Sequence, residues 1–132
     1  VTRRNMPYSL FWEPNGVYKK FTGLVTGSEL VRSVNEVAND IRFADAHYEI
    51  SDYLSAQHTD FSQDALNEVR AVRIGSISRN PGIRVAIVTL DTQIQQRIYS
   101  TIAARLTLHQ TKVFSSLPEA EVWVGRLAAE PA

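Results

Sequence analysis

Apolar residues follow two different periods along the chain, and the switches between them predict alternating strands and helices. Residues 8–12 are rich in aromatic residues and residues 17–22 have the alternation of a strand, and the Pro-Asn-Gly turn between them predicts a β-hairpin. Residues 26–43 repeat apolar positions three and four apart, which predicts a helix, and Thr26 and Glu29 have capping-box spacing at its start. The apolar face of this helix is expected to contain Leu30, Val31, Val34, Val37, Ala38 and Ile41.

A second strand–helix unit is predicted in the middle of the chain. Residues 47–56 carry the apolar and aromatic residues of a strand, and residues 62–79 return to helical spacing until an Asn-Pro-Gly stop. Arg70 and Arg73 of this helix are expected to face solvent. Its buried side is expected to contain Leu66, Val69, Val72 and Ile77.

The most apolar run of the chain is the segment IRVAIVTL, and its β-branched residues predict a strand covered on both faces. We therefore expect the sheet to centre on residues 84–90. Val85, Ile87 and Val88 should be among the least exposed residues of the protein.

The last third of the chain predicts a helix, a strand and a final helix. Residues 91–106 predict the first of these helices, and residues 111–116 predict a short strand. Ser116 is expected to cap the final helix, with Pro118 in its first turn and Glu119 completing a capping box. The apolar face of the helix at residues 91–106 is expected to contain Ile94, Ile98, Ile102 and Leu106.

The order of these elements, ββαβαβαβα, predicts one α/β domain at residues 8–128. Strands that alternate with helices pair in parallel through right-handed crossovers, and the hairpin adds one antiparallel strand at the edge. The expected fold is thus a mostly parallel five-stranded sheet with helices packed against it. Residues 1–7 are expected to be a flexible N-terminal segment.

Composition narrows the classes of function. Fourteen basic and fourteen acidic residues give a formal net charge of zero, which argues against a nucleic-acid-binding protein. Charges interrupt every apolar run, so no membrane insertion is expected, and without a signal-peptide pattern the cytoplasm is the expected location. The absence of cysteine excludes disulfides, thiolate catalysis and cysteine-bound zinc.

The segment QHTDFSQDAL brings together the residue types of several kinds of chemistry. A hydrolase would use His58, Asp60 and Ser62, but such groups usually come from different segments, and no G-x-S-x-G motif is present. Alternatively, Ser62 caps the following helix, and Asp64 complements the helix dipole. His47, His58 and His109 lack metal-ligand spacing, so neither a metal nor another cofactor is expected.

Four segments resemble the STAS superfamily, which includes the SpoIIAA-like anti-sigma factor antagonists. They are LFWEPNGVYKKFTGLVTGSEL, SDYLSAQHTDFSQDAL, GIRVAIVTLD and KVFSSLPEAEVWV. The resemblance implies a non-catalytic regulatory domain whose partner is an anti-sigma-type kinase or another regulator. It also implies a phospho-acceptor serine at the start of the second helix, here Ser62, although Phe61 separates it from Asp60 where the family has Asp-Ser.

The carboxyl ends of the four parallel strands should meet at one edge of the sheet, where open α/β sheets bind ligands. The loops at residues 26–28, 55–62 and 91–93 should form this edge and bind a partner protein or a small ligand. Tyr8, Phe11 and Tyr18 of the hairpin form a competing surface for a homodimer. The residues expected at the binding edge are Thr26, Ser28, His58, Asp60, Ser62, Asp91, Thr92 and Gln93. The non-catalytic binding domain is the leading interpretation, with the phospho-regulated antagonist and the small hydrolase as alternatives.

Overall fold

The computed structural model describes residues 7–103 and 109–126. The expected flexible segment at residues 1–7, apart from Pro7, lies outside the described residues, as do Leu106 and the end of the predicted domain. The strands are β1 (Tyr8–Glu13), β2 (Gly16–Val25), β3 (Tyr48–Thr59), β4 (Arg84–Val88) and β5 (Gln110–Phe114). The helices are α1 (Gly27–Asn39), α2 (Gln63–Ser76), α3 (Thr92–Ala103) and α4 (Leu117–Val124), with short 3₁₀ helices at Ile41–Asp45 and Ile77–Arg79.

The five strands form one sheet in the order β1-β2-β3-β4-β5. β1 pairs with β2 antiparallel, and every other neighbouring pair is parallel. The predicted fold class and order of elements are therefore confirmed. None of the helices in the described residues combines the length and the apolar character needed to cross a membrane.

The sheet is centred on β3, not on β4 as the sequence predicted. β3 is the longest strand and pairs with β2 along almost its whole length, whereas β4 lies second from the edge. Val85 and Val88 of β4 are buried as expected. Ile87 is only half-buried because it lines a cavity, and Leu90 lies beyond the strand with 69% of its surface exposed.

Two apolar layers cover the sheet. On one face, α1, α2 and α3 pack over an aromatic group in which the rings of Phe21 and Tyr53 stack at 4.3 Å and Phe61 meets Tyr53 edge-on. On the other face, α4 places Ala120 and Val124 against β3 and β4. Because both faces are covered, the first six residues of β3 are all buried, including its polar ones.

Two of the differences from the predicted boundaries have a clear physical cause. α1 ends at Asn39 because the side chain of Asp40 accepts a hydrogen bond from the backbone N–H of Arg42 and starts a 3₁₀ turn. Ile41 is consequently 91% exposed and not part of the helix face, of which Leu30, Val34, Val37 and Ala38 are buried. Residues 55–59 are strand and not loop, because β2 continues to Val25 and offers them a pairing partner.

α2 is less buried than its pattern predicted. Its fully buried residues are Ala65 and Ser76, while Leu66, Val69 and Val72 of the expected face are half-buried, as is Ile77 beyond it. Arg73 turns inward and not to solvent, because the buried carboxylate of Glu49 binds its guanidinium.

Candidate functional site

The carboxyl ends of β2 to β5 meet at one edge of the sheet, and the helices begin there, as predicted. At the start of α1, Thr26 Oγ1 accepts a hydrogen bond from the N–H of Glu29 at 3.2 Å. The Glu29 carboxylate accepts one from the N–H of Thr26 at 2.9 Å, which completes the predicted capping box.

Asp60 and Ser62 tie the starts of α1 and α2 together. Ser62 Oγ accepts a hydrogen bond from the N–H of Ala65 at 3.3 Å, so this serine is the predicted N-cap of α2. Asp60 accepts the N–H of Ser62 at 2.8 Å, and this bond lowers the pKa of Asp60 below its ordinary value. Its other carboxylate oxygen lies so close to Gly27 that a Cβ on that glycine would meet it at 2.8 Å.

Asp91 caps α3 in the same way. Its carboxylate accepts hydrogen bonds from the N–H groups of Gln93 and Ile94 at 2.9 and 3.2 Å. The side chain of Gln95 then donates to the Thr89 carbonyl at 2.7 Å and to Ser115 Oγ at 3.2 Å, which joins the ends of β4 and β5. This edge is therefore fixed by its own hydrogen bonds.

The eight residues expected at this edge fall into two groups. Thr26, Ser28, His58, Asp60 and Ser62 surround the starts of α1 and α2, and all but the half-buried Asp60 are exposed. The exposed residues Asp91, Thr92 and Gln93 surround the start of α3. Within the described residues, no hydrogen bond or ion pair joins the two groups, and His58 makes none with Asp60 or Ser62.

The hairpin surface is smaller than the sequence suggested. Tyr8 is buried and donates its hydroxyl to Glu36 at 2.6 Å, so it adds nothing to an exposed patch. Phe11 is 51% exposed on the edge strand β1, with its ring 6.0 Å from that of Tyr18.

A buried ionic cluster lies beneath α1 and α2 and was not predicted. Glu49 is fully buried, and its carboxylate meets Lys19 Nζ at 3.1 Å and the two terminal nitrogens of Arg73 at 3.1 and 2.8 Å. Burial alone would raise the pKa of Glu49, but the charges of Arg73 and Lys19 outweigh it and hold that pKa well below its ordinary value. Burial lowers the pKa of Lys19, and Glu49 opposes this shift.

A cavity of ≈ 160 Å³ lies beside this cluster, between the sheet and helices α1 to α3. Its polar lining includes Lys19, Arg70, Arg73 and His109. His109 is 6% exposed. Among the buried side-chain nitrogen and oxygen atoms of the described residues, only its Nε2 lacks a hydrogen-bond partner. Among the described residues, no group of three or more potential ligands could hold a metal ion. The apolar wall includes Leu30, Val34, Leu66, Val69, Ile87 and Ile98.

One signal in the sequence could have revealed the cluster. Lys19 stands between Val17 and Phe21 at the spacing of the buried face of its strand, and Glu49 stands between Tyr48 and Ile50 in a strand covered on both sides. A charge at such a position requires a partner of opposite charge.

Known structures resemble the fold of this chain, but no family model and no curated sequence matches it. The chain is similar to an uncharacterized protein of the DUF3478 family with a SpoIIAA-like fold from Shewanella loihica PV-4, at 15% identity and a TM-score of 0.59, over 94% of this chain and 98% of that one. It is also similar to the anti-sigma factor antagonist SpoIIAA in its unphosphorylated form, at 9% identity and a TM-score of 0.57, over 90% of this chain and 97% of that one. The chain therefore has a SpoIIAA-like fold, which confirms the resemblance at the level of structure.

Proposed function

We propose that this chain is a non-catalytic regulatory domain that binds a partner protein through the carboxyl edge of its sheet, in a bacterial cytoplasm. The observation that supports the proposal most is the hydrogen bonding of this edge: the side chains of Thr26, Asp60 and Asp91 accept hydrogen bonds from the backbone at the starts of α1, α2 and α3. Neighbouring side chains such as Ser28 and Thr92 remain exposed for contact. Binding residues are commonly loop residues on such a rigid scaffold.

In the described part of the chain, the candidate catalytic residues His58, Asp60 and Ser62 do not form a catalytic group, which favours a binding role. A serine nucleophile needs a base within hydrogen-bond distance and an acid that orients the base. Ser62 Oγ instead accepts a backbone hydrogen bond, Asp60 binds the N–H of Ser62, and His58 bonds to neither. The neutral net charge favours a protein partner over nucleic acid.

Phosphorylation of Ser62 is the second candidate, with an anti-sigma-type kinase as the partner. The supporting observation is that Ser62 is exposed at the start of α2, where the helix dipole favours a phosphate. The neighbouring Asp60 carboxylate would repel a phosphate on Ser62. Phosphorylation would therefore weaken the contacts by which Asp60 joins the starts of α1 and α2. If this switch operates, Ser62→Asp abolishes partner binding that Ser62→Ala preserves.

Charge substitutions at two places test the binding edge. Ser28→Glu and Thr92→Glu each put a bulky charge into the first turn of a helix, where acidic residues are tolerated, so the fold should be kept. Phe11→Glu is the matched control on the hairpin. Proteins captured from the source bacterium on immobilised wild-type chain are purified and titrated against the three variants by calorimetry.

We expect the two edge variants to weaken binding at least about tenfold, the effect of about 1.4 kcal/mol, and Phe11→Glu to bind like wild type. If Phe11→Glu alone loses binding, the hairpin is the interface and the proposal fails. Sedimentation of the wild-type chain and of Phe11→Glu detects a homodimer through the hairpin, which is the alternative use of that surface.

A further inference from the structure

We propose that the cavity between α2, α3 and the sheet binds a small organic anion, namely a monocarboxylate with an apolar ring or short chain, of about the size of benzoate or hexanoate. This inference concerns a cavity partly open to solvent and does not depend on the function proposed for the edge.

The apolar wall of the cavity exists because α2 is only partly packed. α2 lies closely against α1, whereas within the described residues it approaches α3 at few positions or none. Leu66 and Val69 of α2 are consequently half-buried, and they face the cavity together with Ile87 and Ile98. The volume of ≈ 160 Å³ is close to the roughly 150 Å³ of an apolar cavity known to hold benzene, so one ring or a six-carbon chain fits.

The polar wall offers an unused donor. His109 lines the cavity and is only 6% exposed. Its Nε2 has no hydrogen-bond partner in the described part of the chain. An unpaired buried polar atom is costly, so it normally has a partner such as water or a ligand. Burial lowers the pKa of His109 to about 4, and the charge of Arg73 adds to this effect, so the ring is neutral at pH 7. A neutral imidazole with its proton on Nε2 donates to a carboxylate oxygen.

The charge beside the cavity selects an anion. Among the described residues, the basic side chains of Lys19, Arg70 and Arg73 line the cavity and no acidic side chain does. Both Glu49 oxygens are already bonded, whereas Lys19 Nζ, which carries three protons, bonds to Glu49 and to Ser33 Oγ at 3.4 Å. A bound carboxylate therefore finds an unused donor and a basic lining in a region of low dielectric constant.

NMR titration of the labelled chain with benzoate tests the proposal, and benzyl alcohol and benzamidine serve as neutral and cationic probes of similar size. We expect benzoate to cause saturable shifts at the His109 ring and at the methyl groups of Ile87 and Ile98. Benzyl alcohol should bind roughly tenfold more weakly, because a hydrogen bond to a charged group is stronger than one to a neutral group, and benzamidine should not bind.

Two variants localise the effect. Val69→Phe fills the cavity from α2 and should abolish the benzoate shifts, whereas Ile74→Phe, at a position that is 53% exposed on the same helix, should leave them unchanged. Far-UV circular dichroism and thermal unfolding of both variants verify folding. The edge variant Ser28→Glu should bind benzoate like wild type, which separates a failure here from a failure at the edge.

The proposal is overturned if the neutral and anionic probes bind equally, because the cavity is then only an apolar void. It is also overturned if benzoate shifts only exposed basic residues, or if Val69→Phe folds and binds benzoate as tightly as wild type.

Discussion

The substitution Glu49→Gln tests the buried ionic cluster, which is the least expected feature of the interior. Glutamine keeps the size of the side chain but removes the charge that balances Lys19 and Arg73. Glu49 is 0% exposed and Lys19 is 1% exposed, so neither side chain can turn to water. Breaking a buried ion pair from one side costs about 3–5 kcal/mol, and we expect the free energy of unfolding to fall by that amount.

The partner substitution Lys19→Met should be far milder. Arg73 still donates two hydrogen bonds to Glu49, and methionine fills the space of the lysine stem without a charge to desolvate. We expect the free energy of unfolding to fall by less than about 1 kcal/mol. In the Lys19→Met background, Glu49→Gln should cost less than alone, because the remaining cation is Arg73, whose side chain is 14% exposed and can reach water.

Urea unfolding followed by tryptophan fluorescence measures all three variants and the wild type. Glu68→Gln, at an exposed position of α2, is the matched control and should stay within about 0.5 kcal/mol of wild type. If Glu49→Gln lowers the free energy of unfolding by less than about 1 kcal/mol, or if the effects at Glu49 and Lys19 simply add, the three side chains do not form a coupled buried cluster.

Four further predictions concern other positions. Gly75→Ala should raise the free energy of unfolding by about 0.5–1 kcal/mol, because an added Cβ in α2 meets nothing within 4 Å. Gly16→Ala should lower it by about 1–3 kcal/mol, because its Cβ would lie 2.6 Å from the Tyr48 carbonyl oxygen, and equal effects of the two changes would contradict this reading. Burial lowers the pKa of His109 from 6.5 in the unfolded chain to about 4 in the folded chain. The unfolded state therefore takes up the proton first as the pH falls, and the free energy of unfolding should decrease by about 3 kcal/mol from pH 7 to pH 4. His109→Phe should remove this part of the pH dependence in urea titrations at each pH, and an unchanged profile would count against a buried neutral ring. Ser62→Ala should lower the free energy of unfolding by about 1 kcal/mol, whereas Ser62→Asp should leave it nearly unchanged. An alanine variant as stable as wild type would contradict the capping role of Ser62.

The features predictable from the sequence are those that depend on neighbours in the chain. The capping box of Thr26 and Glu29 needs only three-residue spacing, and the hairpin turn needs only its own residues. The order of strands and helices follows in the same way from periodicity. The length of β3 could not be predicted like this, because residues 55–59 become strand only where β2 extends far enough to pair with them.

The interior site depends on contacts between distant segments. Arg73 and Glu49 are 24 residues apart in sequence, and only the packing of α2 over β3 turns an arginine that looks solvent-facing toward a buried carboxylate. The cavity likewise results from the separation of α2 and α3, which no single segment specifies. Leu66 and Val69 have the same helical spacing whether they fill a core or line a void.

Chemical-shift mapping of the ¹⁵N-labelled chain with its captured and purified partner tests the proposed function most directly. We expect the shifts to concentrate at residues 26–28, 58–62 and 91–93, the segments around the starts of α1, α2 and α3. Shifts confined to residues 8–20, with this edge unaffected, would contradict it and identify the hairpin as the binding surface.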